Sequence, residues 1–390
     1  MHAAVYLSRA ENILIPVLWI TYGLFLLGFF YIPNGIDLYK FFTLTVFLPG
    51  LLMLPTGWCL LKSDHLFLLV LLYLGYMLAS SCWSQPFTIK EFWHYLRLAA
   101  YIVMFILLMA VLRHKYADAF PALLRFLCTG AGVAAAVSIL LWYQDHPFPS
   151  SRLVGLGILV NPNPSGLAYG CFAIVAAQLA LRASALMERL FFLAIATVLC
   201  CFVWFTQSRT ALIAVILALI FLGVSIHRDK SNLFFIGWLA SILIGGSVFF
   251  GEALLTLFNR DISPRTIIWS SYLADVMQAP LFGHGYLNHL TVYVPAEDVT
   301  YDYAHSAYLA ALRDGGVVGL LLMLTILLYA GRRALQIGNQ SGDYLYLILL
   351  TYGMICMIPE TDKLITRPRE LWLILWLVLA LIMTHHRAKA

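Results

Sequence analysis

The sequence predicts an all-α polytopic membrane protein of about twelve transmembrane helices, and three observations carry that prediction. Hydrophobic residues make up 62% of the 390 residues and charged residues only 11%, where soluble domains carry about a quarter charged. Apolar runs close to the roughly 20 residues that a helix needs to cross a bilayer recur along the whole length. Runs such as "ILLMAVL" and "LIAVILALIFLGVSI" lack the period-two alternation of a membrane β-barrel. Residues 1–390 therefore read as a single integral membrane domain.

The first run, "ILIPVLWITYGLFLLGFFYI", is too long for the apolar region of a signal peptide and lacks an A-x-A exit, so it reads as the first span. In order, the expected spans lie near 13–32, 41–61, 65–83, 95–112, 120–143, 166–182, 190–206, 210–226, 233–251, 306–330, 343–358 and 371–384. An even count puts both termini on one side. Short loops with Arg113 and Lys115, Arg182 and Arg189, Arg228 and Lys230, and Arg332 and Arg333 share that side with Arg9, Arg387 and Lys389. The positive-inside rule makes it the cytoplasm. Arg152, Arg209, Arg260, Arg265, Arg367 and Arg369 fall on the opposite, outer side. They weaken the bias, and each needs another reason to be there.

The longest loop, 252–305, lies on the outer side and exceeds a simple connector. Within it "SPRTIIWSSYLADVMQ" (263–278) opens on Ser-Pro, a capping residue and a first-turn residue, and predicts a short helix. The net charge of +5 is small and spread over many loops, so nucleic acid is not an expected partner. The seven cysteines show no C-x-x-C spacing and read as small buried hydrophobes. His284 and His289 lack a carboxylate in liganding register, and His385-His386 lie in the tail, so no metal site is expected. No D-x-D, P-loop or G-x-S-x-G motif is found.

Four constellations remain. His305 stands where a span begins, followed by Ser306, nine residues, Gly316, two residues and Gly319. On a helix the two glycines share a face and admit a close neighbour. Asp302, three residues earlier, is near enough to orient the ring or raise its pKa. The alternative is a histidine that merely caps a span at headgroup level. Arg209 sits between two spans almost without a loop, where an arginine either faces a partnered cavity or snorkels to the headgroups. Arg265 leads the short helix one turn before Trp269; its guanidinium and the helix N-terminus both favour an anion, unless it is a solvated arginine stacked on Trp269. Arg152 precedes Asn161-Pro162-Asn163-Pro164, a stretch that forbids a regular helix and lets Asn163 or Ser165 cap the next span.

Taken in order, "SRT" at 208–210, "PRTIIW" at 264–269, "APLFGHG" at 279–285 and the His305–Gly316–Gly319 spacing resemble the O-antigen ligase superfamily, which holds O-antigen ligases, O-antigen polymerases and pilin oligosaccharyltransferases. The resemblance covers roughly residues 150–330. It implies a GT-C-like helical glycosyltransferase of the bacterial inner membrane that is inverting and uses neither metal nor cofactor. The donor would be a glycan on undecaprenyl diphosphate at the periplasmic face, and a ligase's acceptor a sugar hydroxyl of lipid A–core oligosaccharide. The family's histidine maps onto His305 as catalytic residue, and its two arginines onto Arg209 and Arg265 at the diphosphate. Arg152, Asn161 and Asn163 match another recurrent stretch, with Asp302 and Trp269 as further supports. Leu320-Leu321-Leu322 stands where a tryptophan often follows the second glycine. An O-antigen polymerase with the same donor, and a twelve-span transporter, are the competing readings. The transporter predicts related halves, which the sequence lacks.

Overall fold

The computed structural model describes residues 9–148, 150–225, 235–241, 264–295 and 297–385. Among these described residues, eight helices are long and apolar enough to span a membrane: α1 (Ile13–Tyr31), α2 (Gly35–Leu61), α3 (His65–Trp83), α4 (Ile89–Lys115), α5 (Phe120–Asp145), α6 (Pro162–Arg182), α7 (Leu186–Phe205) and, later in the chain, α10 (Ala307–Ser341). Shorter apolar helices are α8 (Arg209–Ser225), α11 (Leu345–Cys356) and α12 (Trp372–Thr384). Every expected span except that at 233–251 coincides with one of these, and most of 233–251 lies outside the described residues. The protein is an all-α, multi-pass membrane protein.

Local chemistry sets the helix ends. Asp64 caps α3 by accepting from the N–H groups of Leu66 (3.1 Å) and Phe67 (3.2 Å), while its other oxygen takes Arg333 at 2.7 Å. Asn161 caps α6 by accepting from the Asn163 N–H at 3.0 Å. The expectation that Asn163 or Ser165 would cap this helix is corrected. Pro162 and Pro164 sit inside the first turn, where a missing N–H breaks no helical bond. Ser306 caps α10, and Gly342 closes it in the left-handed region at φ 67°.

The described part of the long loop before α10 holds more than the expected helix. Residues Arg265–Val276 form α9, preceded by Pro264, with no side-chain cap; Ser263 lies outside the described residues. The strands β1 (Val292–Val294) and β2 (Val299–Tyr301) then pair as an antiparallel hairpin, Val292 opposite Tyr301. Ile268, Tyr272, Val292, Val294, Ala304 and Ala310 make a small apolar core of their own, which seats α9 and the hairpin on the start of α10.

The main core fills the bundle, with α6, α12 and the second half of α4 buried almost throughout. Ala168, Ala173, Ala176 and Ala177 on α6 leave room for close backbone approach. Of the cysteines, Cys128, Cys171, Cys200 and Cys356 are buried as expected, but Cys59, Cys82 and Cys201 are exposed on the outside of the bundle. An apolar run in a membrane has a lipid-facing side as well as an inner one, which hydrophobicity alone cannot separate.

The two ends of the bundle differ. At one end Arg113 donates to the Leu381 carbonyl (2.8 Å), Thr384 and Tyr346, and Gln178 donates to Asp343. These are closed polar ties. The other end gathers the N-termini of α4, α6, α8, α9, α10 and α12, together with the loop that joins α11 to α12.

Candidate active site at one end of the bundle

A backbone joint comes first. Gly316 inside α10 has φ 64° and ψ −166°, a region essentially closed to residues with a side chain. The break turns the next two N–H groups outward: Val317 donates to the Pro280 carbonyl at 2.8 Å and Val318 to that of Leu281 at 3.3 Å. In return His284 and Gly285 donate to the carbonyls of Arg313 and Asp314, both at 2.9 Å. "APLFGHG" and the histidine–glycine motif are thus two halves of one joint. The expectation of two glycines on one helical face is corrected. Gly319 does face Met77 and Tyr76 of α3, alongside Gly315, but Gly316 abuts the Leu281 backbone.

Behind the joint lies a buried ionic network. Arg313 contacts Asp275 of α9 (2.7 Å), Asp314 (3.1 Å) and the Asn288 carbonyl (2.9 Å). Lys363 contacts Asp314 at 2.7 Å and donates to the Tyr286 carbonyl at 2.7 Å. Two cations and two carboxylates balance, as burial of charge demands. The network ties α9, the 284–289 loop, α10 and the α11–α12 loop into one body.

On that body stands a polar cavity of about 430 Å³ whose lining includes Asn161, Asn163, Asp302, His305, Lys363 and Arg369. His305 has φ 53°, outside the ordinary range for a side-chain-bearing residue. The residue before it, Ala304, is held at both its backbone groups. The Ala304 carbonyl accepts from the Trp269 indole at 3.0 Å, and the Ala304 N–H donates to Asp362 at 3.4 Å. The ring meets Tyr303 edge-on at 4.3 Å and Tyr301 at 5.8 Å.

Burial first, then the charges of Arg265 and Arg369, push the His305 pKa down to about 4. The imidazole is therefore neutral at pH 7. The expectation that Asp302 raises this pKa is not met. Asp302 is exposed on the cavity rim, and among the described residues no hydrogen bond joins it to the ring. Burial also pushes the Asp362 carboxyl up, against the pull of Lys363.

Arg265 reaches the cavity through Glu360, which it contacts at 2.7 Å. Thr210 donates to the same Glu360 oxygen at 3.2 Å, so one carboxylate draws together the starts of α8 and α9. Arg209 opens α8 beside Thr210, half-buried, and is not among the side chains lining the cavity. Arg152 donates to the Thr206 carbonyl (2.9 Å) and to Asn163, fastening the α5–α6 loop to the α7–α8 turn.

The sequence reading therefore located His305, Arg265, Asn161, Asn163 and Asp302 around one site, and paired Arg265 with Arg209. The second cation acting on His305 is Arg369. Glu360, Asp362 and Lys363 were not foreseen, and Arg369 was noted only as an outer-side cation without a role. Their signal was present in "PETDKLITRPRE" (359–370), a dense charged run between two apolar spans.

Residues 190–324 match a family model described as O-antigen ligase. That stretch includes Arg209, Arg265, Trp269, Asp302 and His305, whereas Arg152, Asn161, Asn163 and the α11–α12 loop lie outside it. The chain is also 27% identical over 398 residues to an O-antigen ligase of Pseudomonas aeruginosa, an alignment that spans 98% of this chain and 95% of that protein. His305, Arg209, Arg265 and the glycine landmarks all lie inside the matched stretch, and over nearly its whole length the chain is similar to an O-antigen ligase.

Proposed function

We propose that the protein is an O-antigen ligase, a metal-independent, inverting glycosyltransferase of lipopolysaccharide biosynthesis. It moves O-antigen from undecaprenyl diphosphate to a sugar hydroxyl of lipid A–core oligosaccharide. The reading places it in the bacterial inner membrane with the cavity facing the periplasm and both termini cytoplasmic. In this reading 150–330 is the catalytic core and 252–305 its periplasmic loop. The observation that carries it is a neutral imidazole, His305, on a polar cavity and in the field of two guanidiniums.

The donor's diphosphate is the leaving group, and its charge grows as the bond to the anomeric carbon breaks. Fixed cations aimed at that charge stabilise the transition state more than the ground state. Arg265 is the first of these, with Arg209 and Arg369 beside it. Glu360 keeps Arg265 in place while the site is empty and competes with the diphosphate once it arrives. His305 accepts the proton of the acceptor hydroxyl as oxygen attacks from the face opposite the diphosphate. One glycosidic bond forms, undecaprenyl diphosphate departs, and the anomeric configuration inverts. The donor's negative charge offsets the arginines, so the His305 pKa rises when donor binds. The base gains strength only in the loaded complex.

Deletion of the gene followed by separation of the lipopolysaccharide tests this function. Loss of all polymer from lipid A–core, with long lipid-linked chains accumulating, is the expected result. Loss of long chains while single repeats still attach identifies a polymerase and overturns the reading. For the site, Arg265→Ala is expected to slow transfer by about 10²-fold, with the donor KM rising, since one fixed charge on the leaving group is removed. Unchanged donor kinetics would make Arg265 purely structural.

A further inference from the structure

A second cationic feature lies across the cavity wall. Arg97 of α4 and Arg367 of the α11–α12 loop both stand over the ring of Tyr39, at 5.6 and 5.8 Å from its centroid. Both arginines are exposed. Arg97 Nη2 donates to His94 Nδ1 at 3.2 Å, which steadies it. Among the described residues no carboxylate pairs with either guanidinium. Asp37 is engaged by Lys40 at 3.7 Å, and Glu91 accepts from Thr88 at 2.9 Å. Two like charges share one ring without a counter-ion.

The position is that of a lipid headgroup. Tyr39 lies about one turn into α2, and Arg97 about two turns into α4. Exposed Trp93 marks the bilayer interface there. Below the arginines runs a groove of about 320 Å³ between α2, α3 and α4, lined only by apolar residues such as Phe47, Leu78, Leu96 and Ala99. A ladder of rings joins the two: Tyr39 packs on Tyr101 at 5.4 Å, and Tyr101 on Phe47 at 4.4 Å. Charge above and apolar groove below fit an amphiphile that carries phosphate.

The feature is distinct from the cavity. Tyr95 and Arg369 line the cavity, while Arg97 and Arg367 stand two positions away from each. Along α4, two positions turn the Arg97 side chain by about 200° from that of Tyr95, and Arg367, in the α11–α12 loop, is not among the side chains lining the cavity. The donor's phosphates belong at the reacting carbon, within the cavity, because they leave. The acceptor is the opposite case, with phosphates on its lipid disaccharide and its reacting hydroxyl several sugars away.

We propose that Arg97, Arg367 and Tyr39, with the groove beneath them, bind the phosphorylated lipid end of the acceptor and hold its sugars toward the cavity; this rests on the ligase reading. The experiment measures binding of diphosphoryl lipid A and of fully dephosphorylated lipid A to the purified full-length protein in neutral-lipid nanodiscs. In the double variant Arg97→Gln/Arg367→Gln, affinity for the diphosphoryl form is expected to fall about tenfold for each guanidinium lost, with binding of the dephosphorylated form retained by the groove. Arg97→Lys/Arg367→Lys is expected to restore part of the loss, which a damaged fold would not. Equal loss of both lipids, a change below about threefold, or selective loss of undecaprenyl diphosphate binding overturns the proposal. Binding is read without transfer. A wild-type protein that binds the phosphorylated lipid selectively but transfers no glycan sinks the ligase reading alone, and one that transfers glycan without phosphate selectivity sinks this inference alone.

Discussion

His305→Ala is expected to lower glycan transfer by about 10²–10⁴-fold, the usual contribution of a positioned base. The variant should insert and melt close to the wild type, because the aromatic contacts of the ring, with Tyr301 and Tyr303, are edge-on. The backbone around it is held independently by Trp269 and Asp362. The pH dependence adds a sign. With the free-site pKa near 4, the imidazole becomes protonated, and lost as a base, only as pH falls through that value. The acid limb of kcat/KM for the donor reports this free state. The acid limb of kcat reports the loaded complex, where the diphosphate offsets Arg265 and Arg369, so it is expected at higher pH. Both limbs measured with a purified donor decide the matter. Coincident limbs would remove the coupling between donor charge and base. Near-normal transfer by His305→Ala would remove the base assignment itself.

Gly316→Ala is expected to destabilise the protein and abolish transfer together. The backbone angles at this position cost a side-chain-bearing residue on the order of 1–3 kcal/mol. In addition the new Cβ collides with the Leu281 carbonyl and the Phe282 nitrogen, backbone atoms that cannot rotate away. Relief requires pulling the 279–285 loop off α10. That opens the bonds from Val317, Val318, His284 and Gly285 and loosens the segment carrying Arg313 and Asp314. Gly319→Ala is the control. Its Cβ meets the backbone carbonyl of Ala311 at 3.1 Å, a contact eased by a shift of a few tenths of an ångström, and the flexible Met77 sulfur at 3.3 Å, which can yield. The thermal midpoint in detergent should fall well below that of the wild type for Gly316→Ala, and much less for Gly319→Ala. Equal midpoints would mean that the joint is not a structural lock.

The bundle was legible because twenty-residue apolar runs have few other fates, and the landmarks of the site because His305, Arg265 and the glycines stand out against an apolar background. The rest depended on three-dimensional proximity. Arg369 follows His305 by more than sixty residues and reaches it only because α11 and α12 return to the same end of the bundle. Glu360 reads as one acid in a loop, yet it joins the starts of α8 and α9. Gly316 and Gly319 look equivalent by spacing, but only φ distinguishes the hinge from the packing glycine. Asp302 was the nearest acid in sequence to the histidine, whereas burial and two remote cations set the ring's proton affinity.

The loop between α11 and α12 has a bearing on how such proteins can be recombined. The stretch matched by the family model carries the histidine, but Arg369 and the carboxylate that holds Arg265 are encoded downstream of it. A chimera that imports 190–324 alone would acquire the imidazole and Arg265 but neither Arg369, the second cation acting on the ring, nor Glu360, which holds Arg265. An exchange extended through Glu370 would transplant the base and its electrostatic setting as one inheritable module.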